Sequence, residues 1–204
     1  MKKIELYQID AFTDQLFGGN PACVVPLESW LPDSLLLKIT KENAVPETAF
    51  FVPDGEAFSL RWFTPEHEMD LCGHATLASA HVLKTILNYP NNKIIFNSKS
   101  GPLEVTIVDE QYTLNFPSRK PEPAALPEII SKSLKKQPKE VLKSRDYVLV
   151  YDSEQDIRGL VPDREVLNKI NLEPGGIIVT AKGDKVDFVS RFFVPQASIF
   201  EDPV

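Results

Sequence analysis

The sequence predicts an α+β protein made of two similar units, the second truncated. Segments in which apolar and polar residues alternate, the period of a strand, recur along the chain, as at Leu103, Val105 and Ile107 and again at Tyr112, Leu114 and Phe116. A helical pattern over 74–88 carries small residues, Ala75 and Ala78, on its first turns, as expected of a helix packed on all sides inside a sheet. Arg61-Trp62-Phe63-Thr64-Pro65 returns as Arg191-Phe192-Phe193-Val194-Pro195 at an offset of 130 residues, each time at the end of an expected strand.

Residues 4–9 read as a strand. Phe17-Gly18-Gly19-Asn20-Pro21 is a turn, because glycine and Asn-Pro tolerate backbone angles that other residues resist, and Ala22 to Val25 is a short buried strand. Pro32 and Asp33 open a helix with Leu35, Leu36 and Ile39 among its apolar positions. Strands follow at 48–52 and 58–63. Gly73 leads into the helix of 74–88, where Ala75, Ala78, Val82, Leu83 and Ile86 recur at helical spacing until Asn88-Tyr89-Pro90 ends it. A hairpin turning at Asp109-Glu110 closes a first unit, 1–117. Prolines 117, 121, 123 and 127 mark a linker with little regular structure.

A second unit, 128–204, shows strands near 146–151, 176–180 and 186–193 and a helix near 163–170. At the offset of the repeat, Gly73-His74 falls on Pro203-Val204. The second unit is therefore expected to be incomplete at its C-terminus, stopping where its own central helix would begin. That would leave Val148, Val150 and Ile178 on an uncovered sheet face.

The chain of 204 residues has a formal net charge of -7, which argues against nucleic acid as the main partner. The lysines at 132, 135, 136, 139 and 143 read as a solvated helix face and loop. Two cysteines, Cys23 and Cys72, cannot build a disulfide framework, so a reducing compartment is expected. Met1-Lys2-Lys3-Ile4-Glu5 lacks the apolar run of a signal peptide, and no stretch reaches the ~18 apolar residues of a membrane span. The expected location is cytoplasmic.

Glu47 stands in Ala44-Val45-Pro46-Glu47-Thr48-Ala49-Phe50-Phe51. A carboxylate among apolar neighbours loses hydration and gains proton affinity, which suits a general acid/base near neutral pH. The alternative is a helix-end or loop glutamate pointing to water. Leu71-Cys72-Gly73-His74-Ala75-Thr76 is the second candidate. Its glycine lets a substrate approach the backbone, and the unpaired N–H groups of the helix start suit a carboxylate. His74 could donate or shuttle a proton there. The alternative is a capping histidine beside a buried structural cysteine.

A metal site has little support from the histidines. His74 and His81 are seven residues apart, about 10.5 Å along a helix, too far for ~2 Å bonds to one ion. Cys72 and His74 also suggest a cysteine hydrolase. Two residues apart at a helix entry, they are expected to point in different directions, with no orienting third group evident. Gly18-Gly19-Asn20 does not continue with the glycine spacing of a dinucleotide site.

Taken together, several segments resemble the PhzF-like proteins of phenazine biosynthesis, which share the fold of diaminopimelate epimerase. They are Asp10-Ala11-Phe12-Thr13, Phe17-Gly18-Gly19-Asn20-Pro21-Ala22, Pro46-Glu47-Thr48-Ala49-Phe50, Arg61-Trp62-Phe63-Thr64-Pro65, Asp70-Leu71-Cys72-Gly73-His74-Ala75-Thr76-Leu77-Ala78, Ser100-Gly101, Val189-Ser190-Arg191-Phe192-Phe193 and Glu201-Asp202-Pro203-Val204, in family order. The resemblance implies two barrel-like halves, each wrapped round a central helix, with the active site between them, no cofactor and no metal. It implies that Glu47 moves a proton between substrate carbons, assisted by His74 and Asp202, with Asn20, Cys72, Gly73 and Ala75 as substrate contacts. The family often has serine before the glutamate, where this chain has Pro46, and continues Glu-Asp-Pro-Val with a Thr-Gly-Ser-Ala-His segment.

The expected function is a cofactor-independent isomerase acting on a small carboxylated molecule. The expected partners are that substrate and a second copy in a homodimer, with no nucleic acid and no membrane. One rival is an amino-acid epimerase or racemase using Cys72 as a thiol base. Such enzymes take a cysteine from each half, and the second unit has none. The other rival is a non-catalytic small-molecule binding module.

Overall fold

The computed structural model describes residues 3–172, 175–197 and 199–202. They form two compact units, Met1–Pro117 and Ser118–Val204. No helix among the described residues is long and apolar enough to cross a membrane.

In the first unit β1 (Tyr7–Ala11) pairs antiparallel with β2 (Asn20–Pro26). Gly19 enters β2 at φ 63°, and a Cβ there would lie 2.0 Å from the Ala11 carbonyl oxygen, so only glycine fits this turn. Helix α1 (Asp33–Asn43) carries the chain to β3 (Glu47–Asp54), which joins β2 in parallel. Strand β4 (Ala57–Phe63) returns antiparallel, and β5 (Glu68–Met69) pairs with its end. Helix α2 (Gly73–His81) runs on into one π turn, Val82–Ile86. Strands β6 (Lys93–Ser98), β7 (Gly101–Val108) and β8 (Gln111–Asn115) complete the sheet in the order β1-β2-β3-β4-β6-β7-β8, with β5 on β4.

Strand alternation explains how this sheet curls round α2. Ala22, Val24, Ala49, Phe51, Leu60, Trp62, Ile94, Phe96, Leu103 and Val105 point inward and share one core with Ala75, Ala78 and Val82. Their neighbours Val25, Phe50 and Phe63 point outward and pack with Leu36 of α1. The small residues of α2 let the sheet close on it. The Thr76 and Ser79 hydroxyls, both buried, donate back to the carbonyls of Cys72 and Ala75 at 2.6 and 2.7 Å, so they leave no stray donor in the core. Trp62 is 1% exposed, and its indole N–H has no hydrogen-bond partner among the described residues.

The second unit contains β9 (Glu122–Pro123), α3 (Glu128–Leu134), β10 (Glu140–Lys143), β11 (Tyr147–Val150), α4 (Glu154–Gly159), α5 (Arg164–Leu167), β12 (Ile177–Lys182), β13 (Phe188–Phe193) and β14 (Glu201–Asp202). The sheet order is β14-β13-β12-β11-β10-β9, with β11 and β12 parallel. Its core joins Leu149, Ile177, Val179 and Phe193 to Ile130, Leu134, Ile157 and Leu167 of the helices. Val148, Val150 and Ile178 lie on the other face and are half-buried rather than laid open. Ile178 sits between Val148 and Phe192 in the ladder, so these side chains shield one another.

Several sequence expectations need correction. Strand β6 went unrecognised. The 117–127 stretch is not structureless, since Glu122 and Pro123 pair with Lys143 and Leu142. Proline is tolerated there because the strand is an edge. The helix expected at 163–170 is the single turn of α5, started by the Asp163 carboxylate accepting from the Val166 N–H.

The pentad repeat is a shared device. Arg61 Nε and Nη2 donate to the two Glu68 oxygens at 2.7 and 2.8 Å, and its guanidinium lies 5.1 Å from the Phe63 ring centre. Arg191 Nε and Nη2 donate to Glu201 at 2.6 and 2.8 Å, with the guanidinium 4.9 Å from Phe193. Phe63 faces Glu68 in its ladder as Phe193 faces Glu201. The arginines are 130 residues apart (61 to 191) and the glutamates 133 (68 to 201), because the second loop is three residues longer. Asp202 therefore matches Met69. The expected match of Gly73-His74 to Pro203-Val204 lies outside the described residues.

Candidate active site

Strands β2 and β3 run in parallel with Ala22 beside Glu47, so both begin at one end of the sheet. Glu47, Ala49 and Phe51 alternate toward α2. The first residue of β3 therefore places a carboxylate on the inner face, where Glu47 is only 6% exposed. Asn20, one pleat repeat before Ala22, is 1% exposed on the same face. The sequence left open a glutamate pointing to water; the strand starts one residue earlier than that pattern suggested and turns it inward.

Helix α2 begins at this end. Cys72 is its N-cap with extended backbone, φ −144°, and no side chain caps the first turn. The opening N–H groups of Gly73, His74 and Ala75 have no acceptor within the helix. A Cβ on Gly73 would meet one neighbour, the Phe116 ring at 3.3 Å. Phe116 was read from the sequence only as an alternating strand residue; nothing in that pattern places it at the helix start.

His74 links the two halves of the candidate site. Its Nε2 lies 3.3 Å from Glu47 Oε2, and its Nδ1 lies 3.6 Å from Cys72 Sγ. Burial pushes the His74 pKa down to about 4, although the backbone carbonyl of Pro21, an acceptor for the ring N–H, pulls it up. The ring is neutral at pH 7. Its approach to Glu47 is a close polar contact that lacks hydrogen-bond geometry, and His74 Nε2 has no hydrogen-bond partner among the described residues. Asp202 lies on β14 of the second unit, half-buried and opposite Phe192.

One sequence expectation is overturned here. Cys72 and His74 do not diverge, and a third group, Glu47, stands 3.3 Å from the imidazole. Residues two apart on a helix face different ways, but Cys72 is outside the helix, and its extended backbone turns the thiol to the same side.

Ligand atoms of Glu47, Cys72 and His74 lie within 4.8 Å of one another, so they invite comparison with a metal centre. The imidazole turns a different nitrogen to each neighbour, however. The two short contacts, Nδ1 to Sγ and Nε2 to Oε2, thus run to different ring nitrogens. The order of the three groups is thiol, imidazole, carboxyl.

Comparison with known proteins agrees with this geometry. The family pattern described as phenazine biosynthesis-like protein matches residues 9–204. An uncharacterized isomerase of Pseudomonas aeruginosa is 44% identical over 203 residues, covering 99% of this chain and 77% of its own length. The crystal structure of a phenazine biosynthesis protein of the PhzF family from Enterococcus faecalis superposes with a TM-score of 0.89 at 44% identity, over 98% of this chain and 77% of that one. A phenazine biosynthesis PhzC/PhzF protein from Clostridium difficile gives 0.86 at 42% identity, over 99% and 77%. A match over nearly the whole chain, with the Glu-Thr and Cys-Gly-His segments meeting in one buried group, means that this chain belongs to the phenazine biosynthesis-like family, on the fold of diaminopimelate epimerase.

Proposed function

We propose that this chain is a cofactor-independent isomerase that moves a proton between carbons of a small carboxylated substrate, with Glu47 as the general acid and base. The observation that carries the reading is a buried glutamate held 3.3 Å from a neutral histidine at the start of a helix. In the reaction, the Glu47 carboxylate takes a proton from a carbon made acidic by neighbouring unsaturation, and the double bond shifts. The N–H groups opening α2 receive the charge that develops. Glu47, now a neutral acid, returns a proton to another carbon on the same face, directly or through Asp202. Asn20, Gly73 and Ala75 provide substrate contacts, and Cys72 borders the same space. A homodimer, expected from the family resemblance, is part of the proposal.

The test uses a hydroxylated dihydroanthranilate as probe in deuterated water, with mass spectrometry of the product. Wild type is expected to incorporate solvent deuterium. Glu47→Gln keeps the size and removes the titrating group, so incorporation should fall at least ~100-fold with an unchanged circular-dichroism spectrum. Equal incorporation by the variant would sink the assignment.

A further inference from the structure

We propose that Cys72 is a positioning residue, whose thiol holds the His74 ring with Nε2 turned toward Glu47 in both protonation states of that glutamate. The idea rests on the reading of Glu47 as the acid/base group. Its starting point is the span of the imidazole between two partners, 3.6 Å to Cys72 Sγ and 3.3 Å to Glu47 Oε2.

A neutral imidazole carries one N–H, so its other nitrogen must accept. Beside an ionised Glu47 the proton belongs on Nε2, and Nδ1 then needs a donor. The S–H of Cys72 is one. Beside a protonated Glu47 the carboxyl O–H donates to Nε2, the ring proton sits on Nδ1, and the sulfur accepts. A thiol meets both requirements. The Pro21 carbonyl next to the ring can only accept, so it cannot supply the donor that a bare Nδ1 needs. Without the thiol, the first state leaves Nδ1 unpartnered in a site where His74 is 6% exposed, which is unfavourable for a buried polar atom. Rotation of the ring, which takes Nε2 away from Glu47, becomes the easier arrangement.

The test is nitrogen-15 NMR of the His74 ring in the intact protein at pH 7, on wild type, Cys72→Ala and Cys72→Ser. Wild type should show one ring nitrogen of protonated type and one of bare type. Cys72→Ala should draw the two signals together as tautomers and orientations mix. Cys72→Ser, which keeps a group able to donate and accept, should restore the separation. If Cys72→Ala fails to fold, Cys72→Val fills the volume without offering a hydrogen bond and gives the same reading. In the deuterium assay, Cys72→Ala should lower kcat about tenfold more than it raises KM, as expected when a supporting partner is removed. Unchanged His74 signals in the alanine or valine variant would overturn the proposal. The NMR result stands apart from the fate of Glu47, since it is read without substrate.

Discussion

Glu47 and Gly176 occupy the same rung of two different sheets. Each stands just before the residue that pairs with the phenylalanine of an Arg-x-Phe latch, Thr48 with Phe63 and Ile177 with Phe193. The duplicated architecture thus carries a carboxylate in one unit and a bare backbone in the other. A Cβ on Gly176 would lie 2.5 Å from the Phe192 ring and 2.7 Å from the Phe193 carbonyl oxygen. That position has no room for a side chain, so the rung that carries the Glu47 carboxylate in the first unit is bare in the second.

Gly176→Ala should therefore destabilise the protein. Phe192 would have to leave its rotamer, and such overpacking costs about 1–3 kcal/mol. Urea denaturation gives the value; a midpoint equal to wild type would show that the ring yields freely.

Stability should rise with pH across the weakly acidic range because of His74. Its folded pKa of about 4 lies below the ordinary 6.5, so the unfolded chain binds more protons between those values. The contribution is fully present above about 6.5 and is lost as pH falls toward 4, about 3 kcal/mol in all. Asp33 and Asp54 are held below the usual carboxylate range by hydrogen bonds from Arg61 and Asn97, so their losses come at lower pH. Urea midpoints at pH 5 and 7 should differ clearly in wild type and much less in His74→Gln. Equal slopes in the two proteins would mean that His74 is not the titrating group.

Arg191→Lys should weaken the second unit more than the loss of one surface ion pair would. Besides gripping Glu201, Arg191 Nη1 donates to the carbonyls of Ile157 and Leu160 at 3.0 and 2.7 Å, at the end of α4. A lysine cannot span the carboxylate and both carbonyls. The expected cost is about 2 kcal/mol, seen as faster amide hydrogen exchange in α4. Unaltered exchange there would show that the carbonyls find other donors.

The candidate site was legible in parts. The apolar setting of Glu47 and the glycine before α2 could both be read, because each is a local pattern. That His74 meets Glu47 could not be derived from spacing, since the contact depends on a parallel pairing of β2 with β3 across an intervening helix. The direction of Cys72 was misread because helical geometry was extended to a residue in extended conformation. Strand β6 was missed for a related reason. Ile94, Ile95 and Phe96 form an unbroken apolar run with no alternation, and only Ile94 and Phe96 are fully buried. The arginine latch was visible as a repeated pentad, but its acidic partner was hidden by loops of unequal length.

The closed interior round α2 also gives the protein a built-in optical probe. The chain has two tryptophans, and only Trp62 lies in that interior, while Trp30 is 36% exposed. A dissolved quencher such as acrylamide should extinguish the emission of Trp30 and leave that of Trp62. Excitation near 295 nm (roughly the tryptophan-selective edge) would then report selectively on the chamber that holds Glu47 and His74. Any ligand that loosens the sheet around α2 would announce itself by making the second, protected fraction quenchable.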